Sequence, residues 1–214
     1  MFFFLVLSMP CYSEIQTQTA ITPGNQLEQA IKSGQIDTVR LYIQKGIDIN
    51  QPFSQGITAL HVAVINNQEA IAQMLINSGA LIHAADDTTG VTPIHLAALY
   101  GRENLMKLLL NKGADVNCAM KFGLTPLLIA AQFGQPQVLQ LLIEKKANLN
   151  QTDEEGFSAL HFAAQNGNEV ITRLLITKGA DINLPDRNNA TPLKIATMNN
   201  HAGVMQLLGA PKNQ

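Results

Sequence analysis

The sequence predicts an all-α chain built from one helix pair repeated in a row. Three observations carry this. A short phrase recurs at residues 56–61, 90–95, 123–128, 156–161 and 189–194. With a degenerate first copy at residues 25–28, its apolar position runs Leu27, Leu60, Ile94, Leu127, Leu160, Leu193, in steps of 33, 34, 33, 33 and 33. One helix later a second ladder, Leu41, Met74, Leu108, Leu141, Leu174 and Leu207, repeats the same steps. The one extra residue is placed in the loop at residues 84–89.

Each unit justifies its elements in turn. Thr58, Thr92, Thr125, Ser158 and Thr191 are expected N-caps, their hydroxyls accepting from first-turn N–H groups. Pro93, Pro126 and Pro192 follow at the first helical position, where a missing N–H costs nothing. Alanine pairs such as Ala97-Ala98 let this short helix pack closely. It ends at Gly34, Asn67, Gly101, Gly134, Gly167 and Asn200, the two residue types that best tolerate a left-handed backbone. A second helix, rich in Leu, Ile and Val, stops at Gly46, Gly79, Gly113, Gly179 and Gly209, with Lys146 as the exception in unit four. A short extended segment such as Asp115-Val116-Asn117 then leads to the next unit.

Composition narrows the chemistry. The 214 residues carry 14 Lys+Arg against 16 Asp+Glu, a formal charge of −2, with no basic run suited to nucleic acid or anionic lipid. Only 14% of residues are charged, while 18 Asn and 18 Gln keep the surface wet. Two cysteines, Cys11 and Cys118, make neither a disulfide framework nor a multi-cysteine zinc site. No phosphate-binding loop or nucleophile elbow is present, no His has a partner at metal-ligand spacing, and no cofactor is expected. Glu103, Glu144 and Glu169 read as a solvated face, and Lys121 near Cys118 is a weak hint of thiol reactivity. Catalysis is not expected.

The repeated phrase, with the later Leu-Leu and Gly-Ala-Asp elements, resembles the ankyrin repeat over about residues 24–210. The resemblance implies a curved solenoid of antiparallel helix pairs with projecting β-hairpin-like loops. Its units fall at about 24–50, 56–83, 90–117, 123–150, 156–183 and 189–210, followed by a tail at 211–214. Units one and six depart from the pattern and are expected to cap the stack, with Asp37, Arg40, Gln44 and Lys45 on a solvated side. His61, His95 and His161 are expected to bond backbone of the neighbouring loop, as in the family, whereas Leu128 and Lys194 forgo this.

The first 13 residues read as a secretory leader, with Cys11 and Ser13 at −3 and −1 of a cut before Glu14 and a linker over 14–23. The apolar run of nine residues is too short to span a bilayer, and no Lys or Arg precedes it. A periplasmic or secreted location is expected, or a cytoplasmic one if the leader is retained.

A solenoid recognises partners across an extended concave face. The positions that vary from unit to unit on loop tips and first-helix ends are conspicuously apolar in units three to five. Leu99, Tyr100, Met120, Phe122, Leu124, Phe133 and Phe157 are the expected anchors, with Lys121, Glu154 and Glu155 as a polar rim. The expected function is a non-catalytic, exported scaffold: a monomer that binds a protein partner. The alternatives are an effector acting on another cell's protein, an intracellular scaffold, and, least favoured, an enzyme with a loop-grafted site.

Overall fold

A computed structural model describes residues 22–209. The leader, most of the linker and the tail lie outside the described residues. The described chain forms twelve α-helices in six pairs. These are α1 (Pro23–Lys32) with α2 (Ile36–Gln44), α3 (Ala59–Ile65) with α4 (Glu69–Asn77), and α5 (Pro93–Leu99) with α6 (Glu103–Asn111). The remaining pairs are α7 (Pro126–Gln132) with α8 (Pro136–Glu144), α9 (Ala159–Gln165) with α10 (Glu169–Thr177), and α11 (Pro192–Met198) with α12 (Ala202–Gly209). Each helix packs on its mate, while first helices stack on first helices and second on second. The core is therefore a row of shared interfaces.

The first helices of units two to five are seven residues long, and their first six residues are buried all round. So short a helix is held by tertiary packing and its caps. Thr125 and Thr191 accept from the N–H groups of Leu128 and Lys194. At Thr58, Thr92 and Ser158 the cap is a reciprocal box, with the histidine three residues on returning the bond. All six turn positions after the first helix are left-handed, from φ 54° at Asn67 to φ 70° at Gly34. Lys146 holds φ 69°, confirming that unit four places lysine where its neighbours use glycine.

Two expectations need correction. The second ladder is regular but does not form the centre of the core: Leu41 is 47% exposed, and Met74, Leu108, Leu141 and Leu174 are half-buried. The buried position is one residue later, at Leu75, Leu109, Leu142, Leu175 and Leu208. The segments thought to be extended are tight turns. In each, the side chain of Asp48, Asp115, Asn148 or Asp181 accepts from the backbone N–H two residues on. The last helix runs to Gly209, which is also the last described residue.

The extra residue does lie within the expected loop. In loops three, five and six the N–H of Asp86, Asp153 and Asp186 bonds the carbonyl of Val91, Phe157 and Ala190, which are five, four and four residues on. Backbone bonds then join successive loops, from Asp87 to Gln55, Lys121 to Thr89, Glu154 to Phe122 and Arg187 to Glu155. The outer units expose both polar and apolar side chains. In unit six, Lys194 stands at the histidine position and the core-ladder residue Leu193 is 37% exposed. In unit one, Asp37, Arg40, Gln44 and Lys45 are exposed, and so is Leu41.

Candidate protein-binding surface

The unit-three loop is where the repeat is least regular. There Asp86 turns inward, accepting the N–H groups of Thr89 and Val91 at 3.0 and 2.7 Å and both threonine hydroxyls. Burial pushes the Asp86 carboxyl up, but bonds from Thr88, Val91 and Thr89 outweigh it and hold it below the usual range. In loop five, Asp153 receives fewer donors, so burial prevails and raises its carboxyl. The widened loop also stands away from its neighbour. A Cβ on Gly156 would meet the Arg187 backbone nitrogen at 2.8 Å, whereas one on Gly90 would meet nothing nearer than 3.7 Å.

A shallow apolar notch, open to solvent, lies between units three and four. It is lined by Val91, His95, Leu96, Leu99, Met120, Leu124, Ile129 and Phe133. Of the expected anchors, Leu99, Met120, Leu124 and Phe133 meet here. Met120 and Leu124 are each only 8% exposed and form its inner wall, while Leu99 and Phe133 are half-buried. Tyr100 adjoins Leu99 and is 37% exposed, with the Arg102 guanidinium 5.7 Å from its ring centroid. Phe122 sits at the tip of loop four with φ 66°, a left-handed conformation that is an outlier for a bulky residue. Phe157 is not part of the notch lining. Its ring packs 5.4 Å from those of His161 and Phe162.

Lys121 is exposed and donates through Nζ to the Thr88 carbonyl. Glu154 is exposed, and Glu155 lies 3.8 Å from Arg187. Val91, His95, Leu96 and Ile129 were missed as lining residues. One signal was available: Ile129 and Phe133 share a helix face four residues apart.

The buried histidines have both ring nitrogens engaged. Nδ1 of His61, His95 and His161 accepts the N–H of Thr58, Thr92 and Ser158 at 3.1–3.2 Å. Nε2 then donates to the Val91, Cys118 and Ala190 carbonyls at 3.1–3.2 Å. Burial lowers all three imidazoles, His95 to about 4. The hint of reactivity at Cys118 does not hold, because burial pushes its thiol up to about 11. Among the described residues, no group of three or more His, Cys, Asp or Glu is placed to hold a metal, and no helix is long and apolar enough to cross a membrane.

Stacked helix pairs, left-handed turns and laddered loops define a repeat protein of the helix-pair class. The chain matches the family described as Ankyrin repeats (3 copies) over residues 27–120, 80–153, 105–186 and 127–214, and it belongs to the ankyrin-repeat family. Similar proteins include Ankyrin repeat domain-containing protein 39 of Homo sapiens, 45% identical over 51 residues, 24% of this chain and 28% of that one. Protein phosphatase 1 regulatory subunit 27 of Mus musculus is 39% identical over 61 residues, 28% of this chain and 40% of that one. Palmitoyltransferase Hip14 of Drosophila melanogaster is 38% identical over 61 residues, 28% of this chain and 10% of that one. The matched stretch thus spans two fifths or less of each of these relatives. Ankyrin repeats point to a protein partner, and the family is generally non-catalytic.

Proposed function

We propose that this chain is a non-catalytic binding module whose protein partner crosses the loop tips and first-helix ends of units three to five. The apolar notch between units three and four carries the reading, with Tyr100 and Phe122 beside it. A strained aromatic at a loop tip and an open apolar cleft both favour a partner that covers them. The name of one relative, a phosphatase regulatory subunit, fits a module that binds without catalysing. Residues that would form the surface are Leu99, Tyr100, Met120, Lys121, Phe122, Leu124, Phe133, Glu154, Glu155 and Phe157, as a monomer.

The test is a pull-down with the chain from Glu14, compared with a Tyr100→Ala/Phe122→Gly variant. Glycine accepts φ 66° without strain, so the variant removes both rings while leaving the loop intact. A partner retained by the first chain should bind the variant at least about tenfold more weakly. Unchanged affinity overturns the reading. Export is part of the same proposal: a mature chain beginning near Glu14 would support it, and retained Met1 would favour the intracellular scaffold.

A further inference from the structure

The turn between the two helices of a unit recurs along the stack, and unit five builds it from a pair found nowhere else in the chain. The left-handed turn position is Gly34, Asn67, Gly101, Gly134, Gly167 or Asn200. The residue before it is Ser33, Asn66, Tyr100, Phe133, Asn166 or Asn199. Only unit five joins asparagine to glycine. The glycine there is required twice over. It holds φ 66°, and a Cβ on it would stand 2.6 Å from Nδ1 of His201, the unit-six residue lying against the turn.

The asparagine amide is also used differently in unit five. In units two and six it turns back on its own helix, from Asn66 to the Val62 carbonyl and from Asn199 to the Ile195 carbonyl, both at 2.9 Å. Asn166 instead crosses the unit boundary and donates through Nδ2 to the Gln132 carbonyl at 2.7 Å. That junction lacks a crossing histidine, because Leu128 stands at the position, and Asn150 and Asn166 supply its crossing side-chain bonds.

Asparagine is a thermolabile residue, most of all before glycine, where no side chain shields the following nitrogen. The Gly167 nitrogen attacks Cγ of Asn166: the N–Cγ bond forms, the Cγ–Nδ2 bond breaks, and ammonia leaves carrying the proton of the attacking nitrogen. Water then opens the cyclic imide at either carbonyl and gives aspartate or isoaspartate. Water is the one co-reactant, and nothing is oxidised or reduced. Asn166 is exposed, so water reaches it. In the closed turn the first step is held back. A ψ of −3° at Asn166 keeps the Gly167 nitrogen rotated away from Cγ, the Gly167 N–H points to the Ala164 carbonyl, and Nδ2 is tied to Gln132. Attack therefore waits for local opening of the turn. At Asn66 and Asn199 the next residue is asparagine, whose Cβ hinders the same attack.

We propose that Asn166 is a self-modification site, at which opening of the unit-five turn is recorded covalently, and that the acid it leaves loosens units five and six from the rest of the stack. The product cannot restore the lost bond. An ionised carboxylate only accepts, and it faces the Gln132 carbonyl, which also only accepts. Isoaspartate adds a backbone methylene to a tight turn as well. In a stack whose stability is a sum of unit and interface terms, the damage falls on one interface and on the units beyond it.

Ageing the full chain in a mildly alkaline buffer, which favours the deprotonated attacking nitrogen, tests the site. Peptide mapping follows the mass gain of an amide-to-acid change. Asn166 should convert before any other asparagine, to a mixture of aspartate and isoaspartate. Conversion should run at least about fivefold faster in urea than in the folded chain. The consequence is read on fresh protein by hydrogen exchange. Asn166→Asp should speed exchange in units five and six at least about threefold relative to units two to four. Asn168→Asp makes the same change of charge two residues on, at an N-cap that aspartate fills equally well, and should leave that ratio unchanged. No conversion at Asn166, earlier conversion of another asparagine, equal rates in the folded and unfolded chain, or exchange in Asn166→Asp matching that of Asn168→Asp each overturns the proposal.

Discussion

His61, His95 and His161 close the caps of their own helices and reach across to the next loop, and they do so only as neutral rings. An imidazolium has no lone pair to accept the Thr92 N–H, so protonating His95 breaks the cap from within. The unfolded ring titrates near pH 6.5, and burial holds the folded one at about 4. The folded value lies below the unfolded one. Stability from His95 is therefore whole above about pH 6.5 and declines as pH falls towards about 4, a loss of about 3 kcal/mol. Melting temperatures measured across that range should fall, with His61 and His161 adding to the slope. His95→Gln keeps a side-chain acceptor for the cap and should flatten part of it; an unaltered slope would place the acid sensitivity elsewhere. Two further residues carry removable penalties. Thr172 is wholly buried with no partner for its hydroxyl among the described residues, so Thr172→Val should stabilise by about 1 kcal/mol. Lys146 holds φ 69°, and Lys146→Gly should stabilise by about 1 kcal/mol in denaturant titration.

Within one helix pair the two members are stabilised differently. The first is buried on every side and has little polar periodicity to read, so its extent was legible through its caps: Thr or Ser, then Pro, then a left-handed Gly or Asn. The second is amphipathic, and there the sequence was ambiguous by one residue. Positions 141 and 142, or 174 and 175, are both leucine, and two neighbouring ladders of equal hydrophobicity fit the same period. Only the angle at which the helix leans on its neighbours selects Leu142 and Leu175, which are fully buried, over Leu141 and Leu174, which are half-buried. Leu142→Ala and Leu175→Ala should each cost about 2–5 kcal/mol. The changes at Leu141 and Leu174 should cost clearly less. Equal losses from both members of a pair would contradict this placement. The proposed binding surface was less legible than the fold for a similar reason. Met120 and Leu124 occupy loop positions in the sequence yet pack inward.

Along the whole stack, every junction keeps at least one side-chain clip, but not always the same one. The Asn50 side chain bonds Gly79 and Leu81, Asn117 bonds Asn148, and Asn150 bonds Asp181. His83 replaces the asparagine after unit two, and there His61 supplies the crossing bond. Leu128 replaces the histidine in unit four, and there Asn150 is present. The junction between units three and four has both His95 and Asn117. In a quasi-one-dimensional stack, stability is a sum of unit and interface terms, so an interface with fewer crossing side-chain bonds is the place where cooperativity breaks first. Asn117→Ala and Asn150→Ala each remove a hydrogen bond worth about 1 kcal/mol. They should differ in consequence. Asn117→Ala leaves the His95 bond across its junction, and unfolding should keep a single transition with an unchanged denaturant slope. Asn150→Ala leaves units four and five joined by packing and the Glu154 loop bond, with the Asn166 amide on the Gln132 carbonyl. Its slope should fall, and hydrogen exchange should show units five and six opening before units two to four. Identical slopes for the two variants would mean that apolar packing, rather than these clips, sets the coupling along the stack.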